Sequence, residues 1–267
     1  MAGTVIITGA SSGIGEALAY EAASRGFNVC VAARNETKLQ EVKAACEAKG
    51  VKAIAVVADV SKEEDCIRII NETVKSFSSI DVLINNAGIS MRALLKDCDV
   101  DVIRKVMDIN FYGTVYCTKY ALPYLLQSKG TVVGVSSIAG VKGLPARTGY
   151  SASKFAMHGF MESLRIENLK TGLHVLMACP GYTASNIRNV ALNEKGGSQN
   201  ETPLDESKLM PAEEVAKAIM EAVRKRKRYL YLTFQGKVTV FLSKFFSRWL
   251  DQLVYDTVAK EKDSPFK

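Results

Sequence analysis

Short apolar runs alternate with amphipathic stretches over the first two-thirds of the chain. The apolar runs have the length of buried strands and lie at residues 4–8, 28–32, 52–57, 82–85, 131–136 and 174–179. Between them, residues 13–25, 36–49 and 65–77 carry apolar side chains at helical spacing. Apolar strands separated by helices are typical of parallel sheets covered on both faces. The pattern therefore predicts an α/β fold, a doubly wound parallel sheet in a three-layer αβα domain.

The last third of the chain departs from this alternation. Residues 186–211 are rich in polar and turn-forming residues, and a loop of this length in a compact domain is typical of a substrate lid. Residues 229–233 fit one last strand, and residues 238–258 form a basic amphipathic helical pattern. Its large apolar residues recur at four-residue spacing: Phe241, Phe245, Trp249 and Leu253. We therefore expect one domain over residues 1–235, followed by a C-terminal amphipathic helical extension over residues 236–267.

Composition narrows the function classes. The 267 residues are 48% hydrophobic and 24% charged, as in globular proteins, and the formal net charge of +7 suits an anionic ligand. Part of this charge comes from one run of basic residues at 224–228, which is typical of a solvated helix end. No nucleic-acid-binding module is recognisable in the sequence. The six cysteines form no CxxC pair, which indicates a reducing cytoplasm and no metal site. No uninterrupted apolar stretch reaches the 18 residues or so that span a bilayer.

A glycine-rich turn joins the first predicted strand to the first predicted helix. Its sequence is TGASSGIG, at residues 8–15. Such a turn exposes backbone N–H groups at a helix N-terminus, where a pyrophosphate binds. The glycine spacing is one residue longer than the usual GxGxxG, and a tight turn without a ligand is the alternative reading. In this context the turn predicts a Rossmann-like dinucleotide-binding domain.

The end of the second predicted strand bears on the choice of cofactor. An acidic residue there would accept hydrogen bonds from the ribose hydroxyls of NAD and repel a 2′-phosphate. The sequence has Arg34 instead, 19 residues after Gly15. Because a guanidinium pairs with phosphate in a charge-assisted fork, Arg34 favours NADP(H) over NAD(H). An exposed arginine at the start of a helix is the alternative.

Tyr150 and Lys154 lie four residues apart and would share a face of a helix. A phenol has an ordinary pKa near 10, and a neighbouring ammonium favours its phenolate form. The pair is therefore suited to exchanging a proton with a carbonyl or alcohol oxygen.

Several motifs together make the sequence similar to the short-chain dehydrogenase/reductase family over about residues 3–190. The motifs are TGASSGIG at 8–15, Asp59-Val60, NNAG at 85–88, Asn110, Ser136-Ser137, YSASK at 150–154 and Pro180-Gly181. The resemblance implies hydride transfer between a nicotinamide cofactor and a carbonyl or alcohol, with Tyr150 as the proton donor and acceptor. It further implies that Ser137 binds the substrate oxygen, that Lys154 holds the nicotinamide ribose and lowers the pKa of Tyr150, and that Asn110 supports a water next to Lys154.

The resemblance also implies the residues that contact the cofactor. They are Gly9, Ser11, Ser12, Gly13, Ile14, Gly15, Arg34, Asp59, Val60, Asn86, Ala87, Gly88, Tyr150, Lys154, Pro180, Gly181 and Ser185. Relatives commonly form dimers or tetramers through the helices that carry Asn110 and Tyr150, so a homodimer or homotetramer is expected. The C-terminal amphipathic pattern fits packing against protein better than contact with a membrane surface, which is its alternative.

The sequence leaves the substrate open. The apolar C-terminal extension favours a hydrophobic small molecule, and a 3-oxoacyl-thioester reductase is the nearest enzymatic alternative. A non-catalytic NADP-binding sensor or scaffold is a second alternative, although such proteins usually lose one of the residues that here are Ser137, Tyr150 and Lys154. A sugar-nucleotide epimerase or dehydratase is disfavoured by the glycine spacing.

Overall fold

The computed structural model describes residues 3–183, 187–199, 209–260 and 264–266. It contains a seven-stranded sheet with the strand order β3-β2-β1-β4-β5-β6-β7, in which every pair of neighbours is parallel. The strands are β1 Thr4–Thr8, β2 Asn28–Ala33, β3 Ala53–Val57, β4 Val82–Asn85, β5 Thr131–Val135, β6 His174–Cys179 and β7 Tyr229–Tyr231. The predicted α/β fold is confirmed.

Helices cover both faces of the sheet. The α-helices are α1 Gly13–Ser24, α2 Glu36–Glu47, α3 Glu63–Phe77, α4 Val100–Met107, α5 Gly113–Gln127, α6 Thr148–Glu167, α7 Ala212–Arg224, α8 Phe234–Phe245 and α9 Ser247–Ala259, and six of them, α1, α2, α3, α5, α6 and α7, pack on the sheet. Side chains of a strand alternate between the two faces, so Val5 and Ile7 pack in one core, beneath α1, α2 and α7, and Ile6 in the other. The second core is closed by α3, α5 and α6.

The strand order reverses between β1 and β4, since β2 and β3 lie on one side of β1 and β4 to β7 on the other. Loops that leave the carboxyl ends of β1 and β4 diverge there and open a crevice, which is where ligands bind in open α/β sheets. The glycine turn follows β1, and the NNAG motif spans the end of β4. The fold therefore brings these two motifs to the same edge of the sheet.

The C-terminal extension differs from the predicted single helix. Phe246 leaves the helical region, at φ −129° and ψ 45°, and divides the segment into α8 and α9. Its N–H still donates to Leu242 O and its carbonyl accepts from Leu250 N, so one residue serves both helix ends. The break turns Leu250 into the interior, with 2% of its surface exposed, whereas Phe241, Phe245, Trp249 and Leu253 remain exposed. The four residues of the predicted stripe are therefore not buried against this domain, and their packing against another subunit stays a prediction.

Two strand ends were also predicted too far along the chain. β7 ends at Tyr231, because the Thr233 hydroxyl accepts a hydrogen bond from Gly236 N and caps α8. β5 ends at Val135, one residue before Ser136. In the described parts of the chain, no helix has the length and apolar character needed to cross a membrane.

Candidate active site

The glycine turn after β1 has backbone geometry that strongly favours glycine. Gly9 and Gly13 have φ of +66° and +56°, in the left-handed region that disfavours other residues. A Cβ on Gly15 would lie 2.1 Å from the carbonyl oxygen of Gly9. The turn is fastened to β4 by Asn86, whose side-chain amide donates to Thr8 O at 2.9 Å and Gly9 O at 3.2 Å. These contacts fix a concave backbone surface at the start of α1.

A cavity of about 360 Å³ lies over this surface. Predicted cofactor residues line most of its wall: Gly9, Ser11, Ser12, Gly13, Ile14, Arg34, Asp59, Val60, Asn86, Ala87 and Gly88. Arg34 is exposed at the rim, while Gly15 lies beneath the turn. One carboxylate oxygen of Asp59 accepts hydrogen bonds from the backbone and hydroxyl of Ser61. The cavity thus has a bare-backbone floor and a cationic rim, as a phosphorylated dinucleotide requires.

A second cavity of about 140 Å³ adjoins the first and contains the predicted catalytic side chains Ser137, Tyr150 and Lys154. Ser137 follows β5 in extended backbone, and its hydroxyl accepts a hydrogen bond from Ala139 N at 3.2 Å as the cap of a short 3₁₀ turn. Pro180 and Gly181, after β6, line the same cavity. Ser185 lies outside the described residues.

Tyr150 and Lys154 lie on one face of α6 and are both buried. The Lys154 ammonium donates to the Val135 carbonyl at 2.9 Å and stands 5.8 Å from the centre of the Tyr150 ring. Burial lowers the pKa of Lys154 to about 8. The Val135 carbonyl, at the end of β5, therefore orients the lysine towards the cavity floor.

The phenol of Tyr150 is subject to opposing effects. Burial raises the pKa of Tyr150 above its ordinary value, and the groups that oppose this are the Ser137 hydroxyl and the guanidiniums of Arg147 and Arg188. The expected lowering of the tyrosine pKa by Lys154, whose ammonium lies 5.8 Å from the ring centre, stays a prediction.

Asn110 lies behind the catalytic pair, in a π-helical turn at Asp108–Tyr112. Its amide nitrogen donates to Ile89 O and to Ser153 Oγ, and its amide oxygen accepts from Ile89 N at 2.8 Å. The side chain therefore joins the loop after β4 to α6. Widened turns of this kind are common at functional sites.

Sequence reasoning did not assign a role to two cationic residues of this cavity, Arg147 and Arg188. Arg147 comes three residues before Tyr150, so its spacing could have indicated that it shares the helical face of the tyrosine. Arg188 follows the segment after β6, where no motif marks it, and its guanidinium donates to Thr183 O at 2.7 Å. Thr8 was also missed as a support: its hydroxyl accepts from Asn86 N and Ala87 N.

Comparison with known proteins identifies the family. The family model described as short chain dehydrogenase matches residues 3–196. This chain belongs to the short-chain dehydrogenase family. Short-chain dehydrogenases are oxidoreductases that act on alcohol and ketone groups.

Curated relatives include proteins named as hydroxysteroid dehydrogenases. The chain is 36% identical over 261 residues to 11-beta-hydroxysteroid dehydrogenase A of Sesamum indicum, covering 94% of this chain and 75% of the relative. It is 39% identical over 241 residues to 11-beta-hydroxysteroid dehydrogenase-like 4A of Arabidopsis thaliana, covering 90% and 79%.

Two solved structures have the same fold at low sequence identity. An alcohol dehydrogenase from the archaeon Thermococcus sibiricus, complexed with 5-hydroxy-NADP, aligns with a TM-score of 0.76 at 24% identity, over 87% of this chain and 95% of that chain. A short-chain dehydrogenase/reductase from Burkholderia phymatum, in complex with NAD, aligns with a TM-score of 0.81 at 23% identity, over 93% and 95%.

Proposed function

We propose that this short-chain dehydrogenase is an NADP(H)-dependent enzyme that interconverts a ketone and a secondary alcohol on a hydrophobic substrate. The observation that carries the proposal is the meeting of Ser137, Tyr150 and Lys154 in one cavity, next to the cradle formed by the glycine turn. Bound in that cradle, the nicotinamide would supply or accept the hydride.

The chain's own residues suit the proton half of this reaction. A ketone oxygen in the smaller cavity is within the reach of the Tyr150 hydroxyl, which donates a proton during reduction and accepts one during oxidation. The Ser137 hydroxyl stabilises the negative charge that develops on the same oxygen. Lys154, at the cavity floor with its pKa lowered to about 8, can bind ribose hydroxyls and take part in proton exchange near neutral pH.

The cradle fits a dinucleotide with an additional phosphate. Its floor has no room for side chains at Gly9 or Gly15, and Arg34 stands at the rim on the side of β2. The relative from Thermococcus sibiricus is described with an NADP derivative and that from Burkholderia phymatum with NAD, so relatives use both forms. Arg34 is our reason for choosing NADP(H).

A test of the cofactor preference is the substitution Arg34→Asp. We expect the Kd for NADPH to rise about 10- to 100-fold, because a charge-assisted pair is lost and a repulsive charge is added. The Kd for NADH should change little or fall. Fluorescence titration with each cofactor measures the ratio of the Kd for NADPH to the Kd for NADH. Lys38→Asp, on the exposed face of α2, is the charge-matched control. An unchanged ratio would remove Arg34 from cofactor selection.

The reaction itself is tested by following NADPH absorbance with a panel of long-chain ketones, steroid ketones and 3-oxoacyl thioesters. We expect turnover of at least one hydrophobic ketone and none with polar sugars. Turnover of the thioesters alone would instead favour the 3-oxoacyl-thioester reductase. Binding of NADPH without any turnover would favour a sensor or scaffold.

A homo-oligomer is part of the proposal. The region around Asn110 and α6 exposes large apolar side chains at Tyr112, Phe155 and Ile166. Exposed apolar side chains on adjacent elements are typical of subunit interfaces. Analytical ultracentrifugation would measure the oligomeric state, and a monomer at micromolar concentration would contradict the proposed homo-oligomer.

A further inference from the structure

A third cavity, of about 530 Å³, opens from the catalytic cavity towards the C-terminal helices. The two cavities have five lining residues in common: Ser137, Leu144, Arg147, Gly181 and Tyr182. A molecule whose reacting carbon lies beside Ser137 and Tyr150 would therefore extend into the larger cavity. If the proposed function holds, this larger cavity contains the remainder of the substrate.

Most of the larger cavity is apolar. Apolar side chains from three regions line it: Ile138, Leu144, Leu209, Met210, Leu250, Leu253, Val254 and Val258. Within the described chain, no aspartate or glutamate lines this cavity or the catalytic one. Two cations do line it, Lys142 and Arg147. The walls therefore suit a hydrocarbon body, with positive charge near the reaction centre.

The two cations differ in their partners. Lys142 forms an ion pair with Asp251 of α9, which neutralises it. Arg147 is half-buried and lines both cavities, and its guanidinium makes no hydrogen bond or ion pair with any residue described in the structure. Its backbone is fixed, because its N–H donates to Leu144 O and its carbonyl accepts from Ser151 N at 2.8 Å.

A half-buried guanidinium loses part of its hydration and needs other acceptors. A carboxylate or phosphate supplies two in the planar arrangement that arginine matches. We propose that Arg147 binds an anionic group of the substrate, and that the enzyme acts on hydrophobic oxo compounds carrying a carboxylate or phosphate near the reacting carbonyl. Leu250, Val254 and Val258 would contact the hydrocarbon chain.

The position of Arg147 separates this role from cofactor binding. The cavity over the glycine turn is lined by Arg34 and not by Arg147. Arg147 also favours the ionised form of Tyr150, so a purely electrostatic effect on the phenol is the competing role. That competing role would affect every substrate equally and would shift the pH profile, whereas recognition of an anion depends on the substrate.

Matched substrate pairs test the proposal. One pair is 4-oxohexadecanoic acid and its methyl ester, and another is a long-chain acyloxyketone phosphate and its dephosphorylated form. The quantity measured is the ratio of kcat/KM for the anion to that for its neutral partner. We expect a ratio above about tenfold for at least one pair, and the pair that shows it identifies the anion as carboxylate or phosphate. Ratios near one in both pairs would overturn the proposal.

Variants then locate the effect. Arg147→Gln should reduce the ratio at least about tenfold, mainly through KM, and Arg147→Lys should retain part of it, because the charge remains without the fork. Arg104→Gln, on the exposed surface of α4, removes the same charge away from the cavities and should leave the ratio unchanged. Equal losses for anion and neutral partner in Arg147→Gln, with a shifted pH profile, would assign Arg147 to the phenol instead.

A binding measurement keeps this inference separate from the proposed function. Calorimetry with dodecanoate and with its methyl ester, neither of which has a ketone to reduce, should show tighter binding of the anion to the wild type and loss of that preference in Arg147→Gln. Such a preference without turnover of any ketone would support the anion site and refute the proposed reaction. Turnover of ketones with no preference for the anion in either assay would support the proposed reaction and refute the anion site.

Discussion

The catalytic cavity lies between two walls of different construction: the wall under the proposed cofactor consists of backbone atoms, whereas the wall on the side of α9 consists of apolar side chains. Gly9 and Gly15 leave no room for a Cβ, and Asn86 fastens their turn to β4. On the side of α9, Leu250 and Val254 line the larger cavity. The ion pair between Lys142 and Asp251 joins that wall to the domain.

This difference affects how each wall tolerates change. A backbone cradle requires particular residues at particular positions, since one added methyl group meets a carbonyl oxygen. An apolar wall requires only volume and burial, so Leu, Val and Met can substitute for one another at modest cost. We therefore expect cofactor binding to be sensitive to single small changes and substrate choice to vary with the C-terminal helices.

Between the two walls, the larger effect is expected from Gly15→Ala. Its Cβ would lie 2.1 Å from Gly9 O, so the turn must open, and we expect a loss of about 100-fold or more in NADPH affinity or a loss of about 3 kcal/mol in the free energy of unfolding. Fluorescence titration and urea unfolding measure the two. Gly159→Ala, where a Cβ in α6 meets nothing within 4 Å, is the control and should stabilise slightly. Equal NADPH affinities and equal free energies of unfolding in the two variants would refute a rigid cradle.

A smaller effect is expected on the opposite wall from Leu250→Ala. Leu250 is 2% exposed and lines the larger cavity, so its truncation should lower the free energy of unfolding by about 2–3 kcal/mol and raise the KM for hydrophobic ketones. The Kd for NADPH should stay within about twofold, because no residue of α9 lines the cavity over the glycine turn. Phe241→Ala, at an exposed position outside the cavity, is the control. A change in NADPH affinity matching that in KM would show that the walls are not independent.

The smallest effect concerns His158 of α6, which belongs to neither wall. Its Nε2 is 2.9 Å from Ser136 Oγ, and burial with the nearby Lys154 lowers its pKa from 6.5 to about 4, despite the opposing charge of Glu162. Because the unfolded chain binds the proton first as pH falls, folding loses stability between about pH 6.5 and pH 4. We expect His158→Gln to reduce the stability difference between pH 7.5 and pH 4.5 by about 2 kcal/mol in urea unfolding. An identical pH dependence in both proteins would contradict this.

Some features of this structure are predictable from the sequence and others are not, and particular residues show why. The strands and the glycine turn were predictable, because apolar runs and residues such as Gly9 and Asn86 have few alternatives at their positions. The break at Phe246 was not predictable, since no proline or glycine marks it and it follows from burial of Leu250 against the domain. The raised pKa of Tyr150 was not predictable, because four-residue spacing indicates proximity to Lys154 but not how deeply the phenol is buried.

The most direct test of the account is Tyr150→Phe, with NADPH affinity and turnover of the best ketone substrate measured on the same preparation. Removal of the hydroxyl removes the proton donor while leaving the cradle untouched. We expect turnover to fall about 1000-fold or more, with the Kd for NADPH within about threefold of the wild type. Retention of wild-type turnover would contradict the central claim that Tyr150 transfers the proton.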